Sequence, residues 1–411
     1  MLAIALALVA DVNFVANLIT ADGQISNMIC RGYIHTARIF LGLNGIMLLM
    51  FLIGKVFFRF AATIVLVLGV ALAVEGASVF IYKAAFGTWH FAYPLNYREI
   101  FESHPRLVTV PKPNVAIEGY GKQIRHNRFG FRGDQKTLVS RPGVRRIGAV
   151  GDSTTYGVKV SNGETWPEYL DRELGDEFIV FNLGVPGYST AELIVQAAYF
   201  LPEFALDLVI VFAGTNDATN MHVAGLAPDY SNYYYGKLYQ SIALPTEIIK
   251  GTESIATIRV LTGLLQKAGL VHQFPGQNMI IESVRSGLID ERALEIFRRN
   301  LRSLIALIQA HGARPLLVPQ VLNYERLQGP NGYGWFPFVA DGEIKDVMAA
   351  YNGVLREVSN DPNVYYAEGI LNEEWSDADF ADLTHFNPAG NLKFARILAR
   401  WIQANVPVKY P

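Results

Sequence analysis

The residues that could do chemistry stand in four short polar stretches: Gly151-Asp152-Ser153, Asn182-Leu183-Gly184-Val185-Pro186-Gly187, Gly214-Thr215-Asn216-Asp217 and Asp382-Leu383-Thr384-His385. A serine hydroxyl becomes a nucleophile when a neighbouring base takes its proton. An imidazole serves as that base when a carboxylate, or another acceptor, holds its Nδ1 in the right tautomer. Ser153, His385 and Asp382 supply the three parts, and the spacing of Asp382 and His385 puts both on one face of a helical turn. Attack on an acyl carbon builds charge on the carbonyl oxygen, which requires donors already in place. The candidates are the backbone N–H of Ser153, that of Gly187 and the side-chain amide of Asn216, with Gly184 in reserve for Gly187. A glycine there lets the backbone approach closely.

Each stretch alone also has a plain structural reading. Gly-Asp-Ser and Gly-Thr-Asn-Asp make good turns, and Asp and Asn residues ahead of Pro388 make a good helix start. Their joint placement decides for chemistry. Apolar runs at 146–150, 178–183, 207–213, 313–321 and 363–369 have the size and flanks of buried strands, and the first three polar stretches follow the first three runs. Helical patterns at 165–174, 190–204, 292–312, 343–358 and 388–406 separate and follow them. Strand and helix alternate, which predicts an α/β class with a mostly parallel sheet covered on both faces and ligands at the carboxyl ends of its strands.

Taken in order, the four stretches resemble the four blocks of the SGNH/GDSL hydrolase superfamily, over residues 146–406. The resemblance implies a flavodoxin-like three-layer α/β/α sandwich and esterase chemistry, with Ser153 as nucleophile, His385 as base, and Gly187 and Asn216 at the oxyanion. Gly187 lies five residues after Asn182, as in the family pattern. Thr154 stands where the family's popular name has leucine, a position that touches no chemistry. The stretch Asn127-Arg128-Phe129-Gly130-Phe131-Arg132-Gly133 is similar to the lead-in of membrane-attached members that act on acylated cell-surface glycans.

The elements ahead of this domain read differently. Residues 39–54 carry no charge and residues 60–82 carry only Glu75, so each run is near spanning length. A third run, 1–20, is interrupted by Asp11 and Asn13 and reads as a membrane helix, a signal-like segment or a truncated one. Residues 1–86 are thus expected to form a membrane region of two or three helices, 87–145 a linker and lead-in, and 146–411 the hydrolase domain with 218–289 as an insertion or lid. Lys55 and Arg59 in the short link put that hairpin on the cytoplasmic side and the catalytic domain outside, while Arg31 and Arg38 argue weakly the other way. Glu75 reads as a helix–helix contact or an interfacial residue.

With 35 basic against 37 acidic residues in 411, there is no basic excess to draw the molecule to nucleic acid. The single cysteine, Cys30, excludes an intramolecular disulfide and a cysteine metal site. No histidine–carboxylate set has metal spacing, and no cofactor is implied. Outside the four stretches, His126 and Arg128 read as a strand packed on the domain edge, His222 as a surface histidine, and Gln320 equally as a ligand contact or a buried amide. The tyrosines of 228–240 read first as a lid core and otherwise as a surface that stacks on sugar rings or lines an acyl pocket, and Gly334-Trp335-Phe336 as a pocket wall. The sequence therefore predicts a membrane-anchored extracytoplasmic serine esterase acting on O-acyl, above all acetyl, esters, and the resemblance of the lead-in implies a cell-surface polysaccharide as their carrier. Its alternatives are an O-acetyltransferase using the same residues and an idle glycan-binding or assembly subunit.

Overall fold

The computed structural model describes residues 11–12, 14–15, 28–50, 54–86, 100–107, 109–119, 122–134, 136, 143–223, 225–231, 255–258, 260–261, 289–327, 336 and 338–406. The chain divides into two compact units, Met1–Pro94 with Pro245–Gln273, and Leu95–Leu244 with Phe274–Pro411. Part of the connection that the sequence places as an insertion in the hydrolase domain thus groups with the N-terminal helices.

In the first unit, helix α1 (Met28–Met50) packs on helix α2 (Lys55–Phe86). Proline-free apolar sequence runs almost the length of α2, and Phe60, Leu66, Val67, Val70 and Phe80 point outward from it. Among the described residues one helix, Arg59–Ala84, is long and apolar enough to cross a membrane. The run at 39–54 is only partly contained in α1, and the run at 1–20 lies outside the described residues apart from positions 11, 12, 14 and 15. Two or three spanning helices are therefore not what the described residues display.

The second unit opens with two antiparallel ribbons, β1 (Phe101–Ser103) with β2 (Thr109–Pro111), and β3 (Ala116–Gly119) with β4 (Lys122–Arg125). The regular alternation then begins with β5 (Arg145–Gly151), the single turn α3 (Ser153–Tyr156), α4 (Trp166–Leu174), β6 (Phe178–Asn182) and α5 (Thr190–Tyr199). It continues with β7 (Leu208–Phe212), the single turn α6 (Thr215–Ala218), α7 (Glu291–Ala310), β8 (Arg314–Leu317), α8 (Ile344–Val358), β9 (Tyr365–Tyr366) and α9 (Pro388–Asn405). Local chemistry starts the helices where they start. Thr165 with Glu168 and Ser189 with Glu192 form capping boxes, and Asn387 caps α9 with Pro388 at its first position.

All five strands of the central sheet pair in parallel, in the order β6-β5-β7-β8-β9. Numbered within the sheet this is 2-1-3-4-5, the flavodoxin-like arrangement. Side chains alternate across it. Val209 and Val211 of β7 join one core with α5, α7 and α8, whereas Leu208, Ile210 and Phe212 join the other with α4 and α9. On that second face the Phe394 ring packs tilted against Phe212 at 4.8 Å and edge-on against Trp166 at 5.2 Å. A fully buried side chain of this size contributes roughly 1.5–3 kcal/mol. Because β5 lies between β6 and β7, the turns that follow these three strands emerge side by side at one edge of the sheet.

Candidate active site

Ser153 begins the turn directly after β5. Its predecessor Asp152 is buried and caps that turn, its carboxylate accepting the Thr154 N–H at 2.9 Å. Burial pushes this carboxyl above its ordinary range, while the hydrogen bonds at Thr154 and the charge of His385 act against it. An Asx cap therefore ends the strand, and the capped turn begins with Ser153.

Ser153 Oγ lies 2.7 Å from His385 Nε2. His385 Nδ1 lies 2.8 Å from each oxygen of Asp382, and Thr384 Oγ1 is a further neighbour at 3.1 Å. Asp382 and His385 do not sit on a helical turn as their spacing predicts. Phe380 and Phe386 pair across an isolated antiparallel bridge, and the Ala381 N–H donates to the His385 carbonyl at 2.8 Å. Within that bend Asp382 Oδ1 accepts the N–H groups of Thr384 at 3.0 Å and His385 at 2.9 Å. An aspartate-centred turn brings the two side chains together because its hydrogen bonds compete successfully with a helical turn.

Lys159 Nζ makes an ion pair with Asp382 Oδ2 at 3.1 Å. Burial pushes the Asp382 carboxyl up, but the hydrogen bonds and charge of His385, with the Lys159 ammonium, outweigh it and hold the acid well below the usual carboxylate range. This aspartate is placed to hold an imidazolium.

The turns after β6 and β7 carry the two candidate glycines and Asn216. Asn182 Oδ1 accepts the Gly184 N–H at 3.1 Å, so that donor is already engaged. A Cβ on Gly184 would come within 2.4 Å of the Tyr156 backbone nitrogen, which is why the residue is glycine. Gly187 adopts φ +81°, the left-handed conformation that side chains disfavour. Beyond it, the Tyr188 carbonyl accepts one hydrogen of Asn216 Nδ2 at 2.9 Å. An amide nitrogen carries two hydrogens, which leaves the second for another acceptor. The next residue, Asp217, is wholly buried and accepts the Thr190 N–H at 3.2 Å and the Thr190 hydroxyl. Burial raises its carboxyl to about 7. Asn216 and Asp217 together clamp the turn that carries Gly187.

Several residues outside the four stretches sit differently from their sequence readings. His222 is buried, not on the surface, with φ +65°. His126 is buried on the domain edge as expected, donating from Nδ1 to the Lys112 carbonyl at 2.9 Å and accepting at Nε2 from the Tyr156 hydroxyl at 2.7 Å. Burial, opposed by the Lys112 carbonyl bond, lowers it to about 4. Arg128 lies over the Phe129 ring. Gln320 is a buried amide whose Oε1 accepts the Thr215 hydroxyl at 2.8 Å. Phe336 is buried, while Gly334, Trp335 and most of 228–240 lie outside the described residues.

Two contributors were missed. Arg132 is buried and donates to the carbonyls of Gly157 and Val160, both at 2.6 Å, closing the end of the nucleophile's turn. An arginine bracketed by Phe131 and Gly133 was the available signal. Lys159, six residues after Ser153, carries no sequence signal at all.

The family described as GDSL-like lipase/acylhydrolase matches residues 149–393. No curated protein sequence matches the chain. Among solved structures, a lipase/acylhydrolase from Enterococcus faecalis is similar at 16% identity, covering 65% of this chain and 100% of that one, with TM-score 0.39. A GDSL-like lipase from Bacteroides thetaiotaomicron VPI-5482 gives 12% identity, 64% and 89% coverage, and TM-score 0.36. An acetyl xylan esterase gives 14% identity, 62% and 99% coverage, and TM-score 0.36.

Proposed function

Because this chain belongs to the GDSL-like lipase/acylhydrolase family and is a serine ester hydrolase, we propose that it is a membrane-anchored esterase that removes O-acetyl groups from a cell-surface polysaccharide through an acyl-Ser153 intermediate. The observation that carries the chemistry is the continuous hydrogen-bonded chain from Ser153 Oγ to His385 Nε2 at 2.7 Å and from His385 Nδ1 to Asp382 at 2.8 Å. The helix Arg59–Ala84 supports anchoring, and a tether suits a polymer that cannot diffuse to the enzyme. Lys55 and Arg59 support a catalytic domain outside the cytoplasm.

In this mechanism Ser153 Oγ attacks the ester carbonyl carbon as His385 Nε2 takes its proton. Asp382 stabilises the resulting imidazolium and keeps the ring oriented. The oxyanion is received by the backbone N–H groups of Ser153 and Gly187 and by the second amide hydrogen of Asn216. Collapse breaks the carbon–oxygen bond to the sugar, whose alkoxide takes the proton from His385. Water then attacks the acyl carbon, giving its proton to His385, and acetate leaves as Ser153 is reprotonated.

The test is time-resolved mass spectrometry of the full chain in detergent with p-nitrophenyl acetate, with and without an oligosaccharide acceptor. Acetyl on Ser153 that discharges to water is expected, and Ser153→Ala should accumulate none. Discharge to the sugar would make the protein a transferase. Neither acetyl-enzyme nor turnover would leave a binding role.

A further inference from the structure

Glu75 is the one charged residue between Arg59 and Lys83, and its carboxylate is fully occupied. Tyr33 of α1 donates its hydroxyl to Oε1 at 2.6 Å. The other donors come from far along the chain: the Ala256 N–H to Oε1 at 2.5 Å, and the Thr257 N–H and hydroxyl to Oε2 at 3.0 and 2.7 Å. Ser78 Oγ adds a contact at 3.0 Å to Thr257 Oγ1. Residues 256–258 and 260–261 are helical, and all these groups belong to the first compact unit.

This short segment turns its polar groups inward and its apolar ones outward. Ile255, Ile258 and Leu261, at helical spacing, are 41%, 37% and 56% exposed, while Ala256 is wholly buried. On α2, Val67, Val70, Val74 and Phe80 are exposed as well. At about 1.5 Å per residue, Glu75 stands roughly 24 Å along the helix from Arg59. A hydrocarbon core is about 30 Å thick. The carboxylate therefore falls just inside the far boundary of a bilayer whose near boundary is at Arg59.

We propose that residues 255–261 are a second membrane element, an interfacial segment whose Ile255, Ile258 and Leu261 contact lipid acyl chains and whose backbone is pinned by Glu75. It rests on reading α2 as a membrane helix. Lipid offers no partner to a backbone N–H, and Glu75 supplies one to Ala256 and Thr257. Without such partners a carboxylate at this depth would be expensive, and Tyr33, Ala256 and Thr257 provide them. Arg259, whose structure lies outside the described residues, is the one charge in the stretch, as an interfacial segment allows. The hydrolase chain is then held at the bilayer twice, ahead of β1 and between Asp217 and Glu291.

The experiment uses the full chain with Cys30→Ser, reconstituted in phosphatidylcholine vesicles. A single cysteine at Ile258, Leu261 or Val67 carries an environment-sensitive fluorophore, read against doxyl-labelled acyl chains and aqueous iodide. Loss of emission to the doxyl lipids is expected at all three positions, and Glu75→Leu should abolish it at 258 and 261 but keep it at 67. Quenching at 67 with none at 258 and 261 would overturn the proposal and leave the membrane helix standing. A face covered by protein would show as protection from both quenchers at 258 and 261, which would overturn the proposal in the same way. No lipid quenching at 67 would bring down the membrane reading itself, and lipid quenching at 258 that survives Glu75→Leu would remove Glu75 as the anchor.

Discussion

Replacing Asp382 by Asn tests the site at its most informative point, because the side chain keeps its shape and loses its charge. In the better of its two orientations the Asn oxygen keeps the N–H groups of Thr384 and His385, which Asp382 Oδ1 accepts at 3.0 and 2.9 Å. The amide nitrogen then replaces Oδ2, facing His385 Nδ1 at 2.8 Å and the Lys159 ammonium at 3.1 Å. That donor competes for Nδ1 with the retained oxygen at the same 2.8 Å, which shifts part of the ring-proton population to Nε2, where it blocks transfer from Ser153. The lost charge adds to this. Opposite charges about 4 Å apart at an effective dielectric of about 20 interact by about 4 kcal/mol. At about 1.36 kcal/mol per tenfold, that is roughly three decades in rate. Thr384 Oγ1, 3.1 Å from Nδ1, offers a substitute acceptor and keeps the loss from growing much larger. We expect kcat for p-nitrophenyl acetate to fall by about 10³ to 10⁴ with KM little changed. The comparison is with Ser153→Ala, after circular dichroism shows both variants folded. A loss below about tenfold, or one confined to KM, would refute Asp382 as the group that orients His385.

Asn216→Ala should lower kcat by about 10² to 10³, because it removes a donor that the proposed mechanism assigns to the oxyanion; steady-state kinetics on an aryl acetate reads this. Lys159→Met removes a cation 3.1 Å from Asp382 that helps hold this carboxyl low, so the Asp382 carboxyl should move up, which carboxylate titration followed by NMR reads. The shift should shrink as salt is added, since the Lys159 side chain is 41% exposed. Stability against pH should show two opposed effects. Asp217, raised to about 7 by burial, holds a proton that the unfolded chain has lost above about 4, so its contribution to stability falls as pH rises from about 4 to about 7. His126, lowered to about 4 by burial, lacks a proton that the unfolded chain holds below about 6.5, so its contribution falls as pH drops through the same window. Each amounts to about 3 to 4 kcal/mol. They nearly cancel in the wild type, and denaturant titrations from pH 4 to 7.5 should show Asp217→Asn gaining stability with pH and His126→Gln losing it.

The sequence alone determined the strand-and-helix alternation of residues 145–406 and the three turns at the carboxyl ends of the first three strands. Those features rest on local signals: short apolar runs, Thr165–Glu168 and Ser189–Glu192 caps, and the polar turn residues that stop each strand. The strand order was reached through the family resemblance, and it places Gly151, Asn182 and Phe212 on neighbouring strands. What the tertiary structure decided lies between residues remote in sequence. Asn182 engages the Gly184 N–H, Lys159 meets Asp382 from the far side of the domain's chain, and Glu75 meets Thr257 across 182 positions. Such contacts leave no periodic trace. A lone lysine or glutamate has the same local appearance whether it faces water or a carboxylate, and only the folded backbone brings the partner within hydrogen-bond reach.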